Sequence, residues 1–347
     1  MKAYVPLAAI ILALALLPAF TGRKTIFSSQ ATGRVTVADV LRQLGDKPAP
    51  HLPDYSLPGV DAAKGLEIMR YGQTTGPGGE TTQRVSRHFV CTSCHNIQRD
   101  EPDLSRTDPM ARLRYVAENG LPFLQGSALY GIVDRRRFYN GDYYRKYGDL
   151  VKAAQEDLRE AVQLCATECA QGRPLTNWEM ESVLASLWEI GLTVDDLQLD
   201  DRERRQLQSA LQAGHESERP AAIALLKSKY LPGMPATFLD PPADRKAGFP
   251  TQGDPATGRL LYELSCLHCH SEKRYAFFNL EDTDVSLRFL HRHFPTYSRY
   301  SVYQVARYGT PPIPWKRAYM PHYTKEKMSE QMLEDLRAYI RQEASGG

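Results

Sequence analysis

A chain of 347 residues, 42% hydrophobic and 24% charged, has room for two or three ordinary domains and enough apolar side chain to fold. Its net charge of +2 gives no reason to expect a nucleic-acid partner. Six cysteines are too few for a disulfide scaffold at this length.

Met1-Lys2 and the eighteen-residue apolar run 3–20 read as an export signal, or as an N-terminal anchor at about the shortest length that spans a bilayer. Either reading of residues 1–24 places the rest in the periplasm or on the outer face of the inner membrane. Membrane contact is then confined to this segment, if it is retained. Residues 25–58 are mixed, with one short amphipathic stretch at 36–44 and a proline-rich run behind it, and are expected to form a loosely packed lead-in. Asp61 then caps a helix through Ile68 and Met69. The stretch 254–262 repeats this pattern, with Asp254 and Gly258 in the places of Asp61 and Gly65.

Each repeat leads to a Cys-x-x-Cys-His pentapeptide, Cys91-Thr92-Ser93-Cys94-His95 and Cys266-Leu267-His268-Cys269-His270. Two thiols three positions apart can each form a thioether to one porphyrin, and the following histidine offers an imidazole nitrogen to the iron. Two such motifs predict two covalently attached c-type haems, held by Cys91, Cys94, Cys266 and Cys269 with His95 and His270 on the irons. A structural zinc site is the other reading of such cysteine pairs. Closing helices are expected at 178–190, through Val183, Leu184, Leu187 and Trp188, and at 330–341, through Met332, Leu333, Leu336, Tyr339 and Ile340. The expected fold is mainly α, with two cytochrome c-type haem domains in tandem joined by a proline-rich linker. The first domain spans 25–195 and the second 251–347. Between them, 196–250 comprises a helical segment and an extended linker with five prolines in 231–250.

The second iron is expected to take its sixth ligand from Met320, which precedes Pro321 and lies sixteen residues before Leu336, the other reading being a methionine that only packs. This placement resembles the methionine loop of ordinary small cytochromes c. His322 is a nearby competitor. The equivalent count from Leu184 reaches Glu168, flanked by Cys165 and Cys169. Here the chain resembles the dihaem thiosulfate dehydrogenases, which couple two thiosulfates to tetrathionate. Cys165, Gly172 seven residues on, and Leu129-Tyr130-Gly131 match that family's pattern over roughly 120–190. The resemblance implies His/Cys ligation at the first haem, with Cys165 on the catalytic iron. The family's flanking arginines are Ala161 and Glu168 here, and its serine is Cys169. Losing two cations weakens anion binding, so thiosulfate turnover is expected to be slow or absent. From the residues alone Cys165 is an iron ligand, half of a Cys165–Cys169 disulfide, or a buried thiol. With a disulfide, Met110 or Met180 becomes the thioether candidate, or the iron stays open. Arg135, Arg136 and Arg137 read as a solvated face.

Residues 285–325 hold no Asp or Glu, and Arg288, Arg292, Arg299, Arg307, Lys316, Arg317 and Lys325 alternate with six tyrosines. Part of this charge, with Trp315, suits haem propionates, and the surplus suits docking of an acidic redox partner such as a soluble cytochrome or terminal oxidase. The chain is expected to be an exported dihaem electron carrier, with a sulfur-compound oxidoreductase as the alternative. A dihaem peroxidase, which needs an open iron position, is a third reading.

Overall fold

The computed structural model describes residues 35–47, 50–281, 283–311 and 319–345. The proposed signal at 1–24, and Trp315, Lys316 and Arg317, lie outside the described residues. Those described are mainly helical, with two isolated bridges and no strand. The helices are α1 (Val37–Gln43), α2 (Ala62–Tyr71), α3 (Pro109–Glu118), α4 (Tyr143–Tyr147), α5 (Leu158–Leu164), α6 (Asn177–Glu189) and α7 (Asp201–Ala210). They continue with α8 (Arg219–Ser228), α9 (Pro255–Leu261), α10 (Leu267–His270), α11 (Thr283–His293), α12 (Val302–Tyr308) and α13 (Glu330–Ser345). Among the described residues no helix is long and apolar enough to cross a membrane.

Two helix pairs, α2 with α6 and α9 with α13, repeat one construction. Asp61 caps α2 by accepting from Ala63 and Lys64, and its own N–H donates to Ser182 Oγ on α6 at 3.1 Å. Asp254 caps α9 in the same way, and its N–H donates to Asp335 Oδ1 on α13 at 2.8 Å. One turn later each pair closes on a glycine. A Cβ on Gly65 would stand 1.9 Å from Ser182 O, and one on Gly258 would stand 2.0 Å from Asp335 O. The repeat seen in the sequence is therefore a repeated helix crossing, in which the glycine lets two backbones touch.

Three apolar cores result. Ile68, Met69, Val183, Leu184 and Leu187 fill the one between α2 and α6. Leu261, Tyr262, Met332, Leu333, Leu336 and Ile340 fill the one around α9 and α13, which also takes in Leu113, Val116 and Phe123 from in and after α3. The halves are thus packed together, and Phe123 N donates to Leu264 O across the junction.

The third core corrects the expectation of a loose lead-in. Val37, Val40, Leu41 and Leu44 are buried against Leu192, Leu197, Leu207, Ala222 and Leu226. Val37 N donates to Leu192 O, Val194 N donates to Val35 O, and Thr36 bridges Thr193. The apolar spacing along α1 was visible, but its partners lie more than 150 residues away. The proline-rich stretch 231–250 contains no helix or strand, yet it is tied down. Leu231 N donates to Leu104 O, Pro232 O accepts from Arg136 and Arg137, and Thr237 N and Oγ1 both donate to Glu326.

Asp134 joins the first and third cores by accepting the Leu192 N–H at 2.8 Å. Burial pushes its carboxyl up to about 7, against the opposing pull of that N–H and of Arg135. A carboxyl raised in the folded state penalises folding increasingly as pH climbs from its unfolded value through the folded one. Asp134→Asn keeps an acceptor for Leu192. It is expected to stabilise the chain by about 4 kcal/mol at pH 8 and by almost nothing near pH 4. Denaturant titrations at the two pH values check this.

Candidate functional site

The two pentapeptides present their histidines alike. His95 Nδ1 lies 2.7 Å from Ser127 O, and His270 Nδ1 lies 3.3 Å from Phe278 O. A carbonyl can only accept, so each Nδ1 carries the proton and each Nε2 keeps its lone pair for a metal. Burial lowers both histidine pKa values, partly offset by those carbonyls, and so favours the neutral ring that ligation requires. Backbone packs closely on the first ring, since a Cβ on Gly126 would come within 2.5 Å of His95. Phe278 covers the second at 4.4 Å between centroids.

All six cysteines are free thiols. Burial raises those of the motifs, Cys91 and Cys269 to about 11 and Cys266 to about 12, so they are held as neutral SH groups. Among the described residues no three His, Cys, Asp or Glu side chains gather into a metal cage. Each pentapeptide offers two thiols and a histidine directly after them, with His268 as a further imidazole in the second, a set that fits covalent haem.

The motifs adjoin one another. His268, in the middle of the second, interacts with the backbone of Thr92 and Ser93 in the first, and burial pushes its pKa down to about 4. Cys94 lies close enough to feel the charge of Cys269, and also of Cys169.

Met320 packs against the second core, the same core on which Cys266 and Leu267 pack. Its N–H donates to Thr310 Oγ1 at 2.8 Å and its carbonyl accepts from Thr310 N at 2.9 Å, which pins the residue at both ends. His322, the competing donor, is engaged elsewhere: its Nε2 lies 3.5 Å from Tyr147 Oη and its ring 4.9 Å from Phe238.

Cys165 and Cys169 occupy one π-helical turn at the end of α5. Such turns recur at functional sites because they shift side chains off the regular helical face. The two sulfurs act on one another, and that pairing raises the pKa of Cys165 and lowers that of Cys169. Tyr139 Oη, 3.9 Å from Cys169 Sγ, also favours the Cys169 thiolate. Both sulfurs feel the first motif's thiols: Cys165 senses Cys91 and Cys94. Met180 is buried in the first core, whereas Met110 packs on the second.

Two features were missed in the sequence. Tyr139, Tyr143 and Tyr147, four residues apart, form with Phe238 an aromatic wall behind the Cys165–Cys169 turn. Tyr319 joins it from the second half, its ring edge-on to Phe89 at 5.7 Å and within electrostatic reach of Cys169, Cys94 and Cys165. The tyrosine spacing was the available signal. The second feature is a buried ion cluster. Arg112 binds Asp100 at 2.6 Å, both 1% exposed, and Lys327 binds Glu101 at 2.9 Å. Lys327, Asp100 and Arg135 all act on His95. Burial and the pull of Glu101, Asp100 and Asp134 place Arg135 in this interior group. Only Arg136 and Arg137 of the arginine triplet are exposed, which corrects the solvated-face expectation. Compared with family models, curated protein sequences and solved structures, the chain gives no match.

Proposed function

We propose that the chain is an exported dihaem c-type cytochrome that passes electrons between two covalently bound haems and onward to a redox partner protein. The observation that carries this is the paired histidine geometry. Twice, a histidine directly after two free thiols donates Nδ1–H to a carbonyl and leaves Nε2 unused. Haem, when bound, supplies a one-electron couple at each site. In this reading Cys91 and Cys94 hold one haem and Cys266 and Cys269 the other. His95 and His270 are the proximal ligands, Met320 completes the second site and Cys165 the first. The contact of His268 with Thr92 and Ser93 supports a short path between the two sites.

The partner face belongs to the second half. Arg288, Arg292 and Arg299 are exposed there beside exposed Phe289, Tyr297 and Tyr300. Phe278, 55% exposed, stacks on His270 and gives that histidine a contact near the surface. A basic rim around aromatic groups suits an acidic redox protein.

The alternative, a sulfur-compound oxidoreductase resembling thiosulfate dehydrogenase, draws support from the Cys165–Cys169 turn, because a low-potential thiolate-ligated site suits sulfur chemistry. Against it, Glu168 is exposed on that same turn and Ala161 is buried, so neither position supplies a cation for an anionic substrate. Low-temperature electron paramagnetic resonance of the oxidised protein tests the ligand set. Expected is one narrow set of low-spin g-values typical of thiolate ligation, lost in Cys165→Met and kept in Cys169→Ser. Loss in Cys169→Ser alone would move the ligand to Cys169. Tetrathionate formation from thiosulfate that vanishes with Cys165→Met would establish the enzyme instead of the carrier.

A further inference from the structure

Arg307 on α12 is 1% exposed, and only one side of its guanidinium is used. Nη1 donates to Met328 O at 2.8 Å, while Nε and Nη2 have no acceptor. Those two nitrogens form one edge of the fork, the edge that takes two oxygens of a single oxoanion side by side. Leaving a buried charged donor unsatisfied is costly, so such an edge calls for an acceptor.

Arg307 lines a cavity of about 210 Å³ between α4, residues 238–240 and α12. Arg145 and Lys146 lie at its exposed rim, and Asp142, Asp240, Phe238 and Tyr308 complete it. Both carboxylates are already engaged. Asp142 accepts from Arg145 at 2.8 Å and from Phe238 N at 3.1 Å, and Asp240 accepts from Tyr308 Oη at 2.7 Å. Glu326 and Glu330 act on Arg307 electrostatically without bonding its free edge, and Glu326 accepts from Thr237 N and Oγ1. Lys146 lies 4.4 Å from the Phe238 centroid and, among the described residues, forms no close ion pair, although Asp240 acts on it electrostatically. The lining itself holds three cations and two carboxylates, and both of those carboxylates already have a donor within the wall. A water occupies about 30 Å³ of liquid, so the space admits a small anion with a few waters.

We propose that this cavity binds a small oxoanion, gripped side-on by Arg307 Nε and Nη2 with Lys146 completing its charge at the rim. None of the four motif cysteines lines the cavity. A free tetrahedral anion and a carboxylate share the required chemistry.

Calorimetric titration of the full-length protein as purified, at constant chloride ionic strength, separates them with sodium sulfate in one arm and sodium acetate in the other. Saturable binding of one anion per chain is expected, abolished or weakened at least tenfold in Arg307→Gln by loss of two charge-assisted hydrogen bonds. Lys146→Gln, at an exposed position that leaves the core intact, is expected to weaken it about threefold. Tighter sulfate than acetate identifies an inorganic oxoanion, and the reverse order identifies a carboxylate. Absence of saturable binding of either anion overturns the proposal. So does an affinity unchanged in Lys146→Gln together with an unchanged affinity, or a failure to fold, in Arg307→Gln.

Discussion

Met320→Ala is expected to lower the potential of the second haem by roughly 0.2 V, a sizeable share of the ~0.8 V range that axial ligands command. The thioether is a weak donor that favours reduced iron, and its loss opens that position to water or another stronger donor. Thr310 holds residue 320 through both of its backbone groups, so the loop keeps its place when the side chain is cut back. The effect is therefore expected on the iron and not on the fold. His322 is held toward Tyr147 and Phe238, which argues against its stepping in as a replacement. A redox titration followed in the haem absorption bands, with loss of the weak far-red sulfur-to-iron band, checks this. An unchanged potential and spectrum would remove Met320 from the ligand set.

Gly258→Ala is expected to destabilise the second helix pair by about 3 kcal/mol or more, at or beyond the upper end of ordinary overpacking. The new methyl would meet Asp335 O at 2.0 Å, and the obstacle is backbone, which cannot swing aside as a side chain can. Separating α9 from α13 would also strain the Asp254 N–H to Asp335 bond that fixes their register. Because α9 leads into Cys266, the same change is expected to reduce haem attachment at that site. Thermal unfolding by circular dichroism measures the first effect. A midpoint within a degree of the parent would mean that the crossing relaxes freely. Gly65→Ala, facing Ser182 O, should behave in parallel in the first pair.

These crossings show how far the sequence could be read. Asp-x-x-x-Gly at 61–65 and 254–258 was visible as a repeat, and the periodic apolar residues of α6 and α13 were visible as closing helices. Local signals of this kind, caps and helical spacing, survive in a single sequence. What could not be read depended on distant partners. Nothing near Glu101 announces Lys327, and nothing near Val37 announces Leu192. The proline content of 231–250 indicated a segment without helix but was silent on the hydrogen bonds that bind it to both halves. At the candidate site the pentapeptides were legible residue by residue. The Cys165–Cys169 turn was legible as spacing alone, because its π-helical form and the approach of Tyr139 to Cys169 depend on the fold.

The central claim is that each pentapeptide carries a covalent haem. Intact-mass spectrometry of the protein after denaturation and extraction with acidified organic solvent tests it most directly. A chain heavier by two haem groups is expected, and one heavier by a single haem in a double variant of Cys266→Ala and Cys269→Ala. Haem that passes into the organic phase, leaving a chain of bare polypeptide mass, would contradict it.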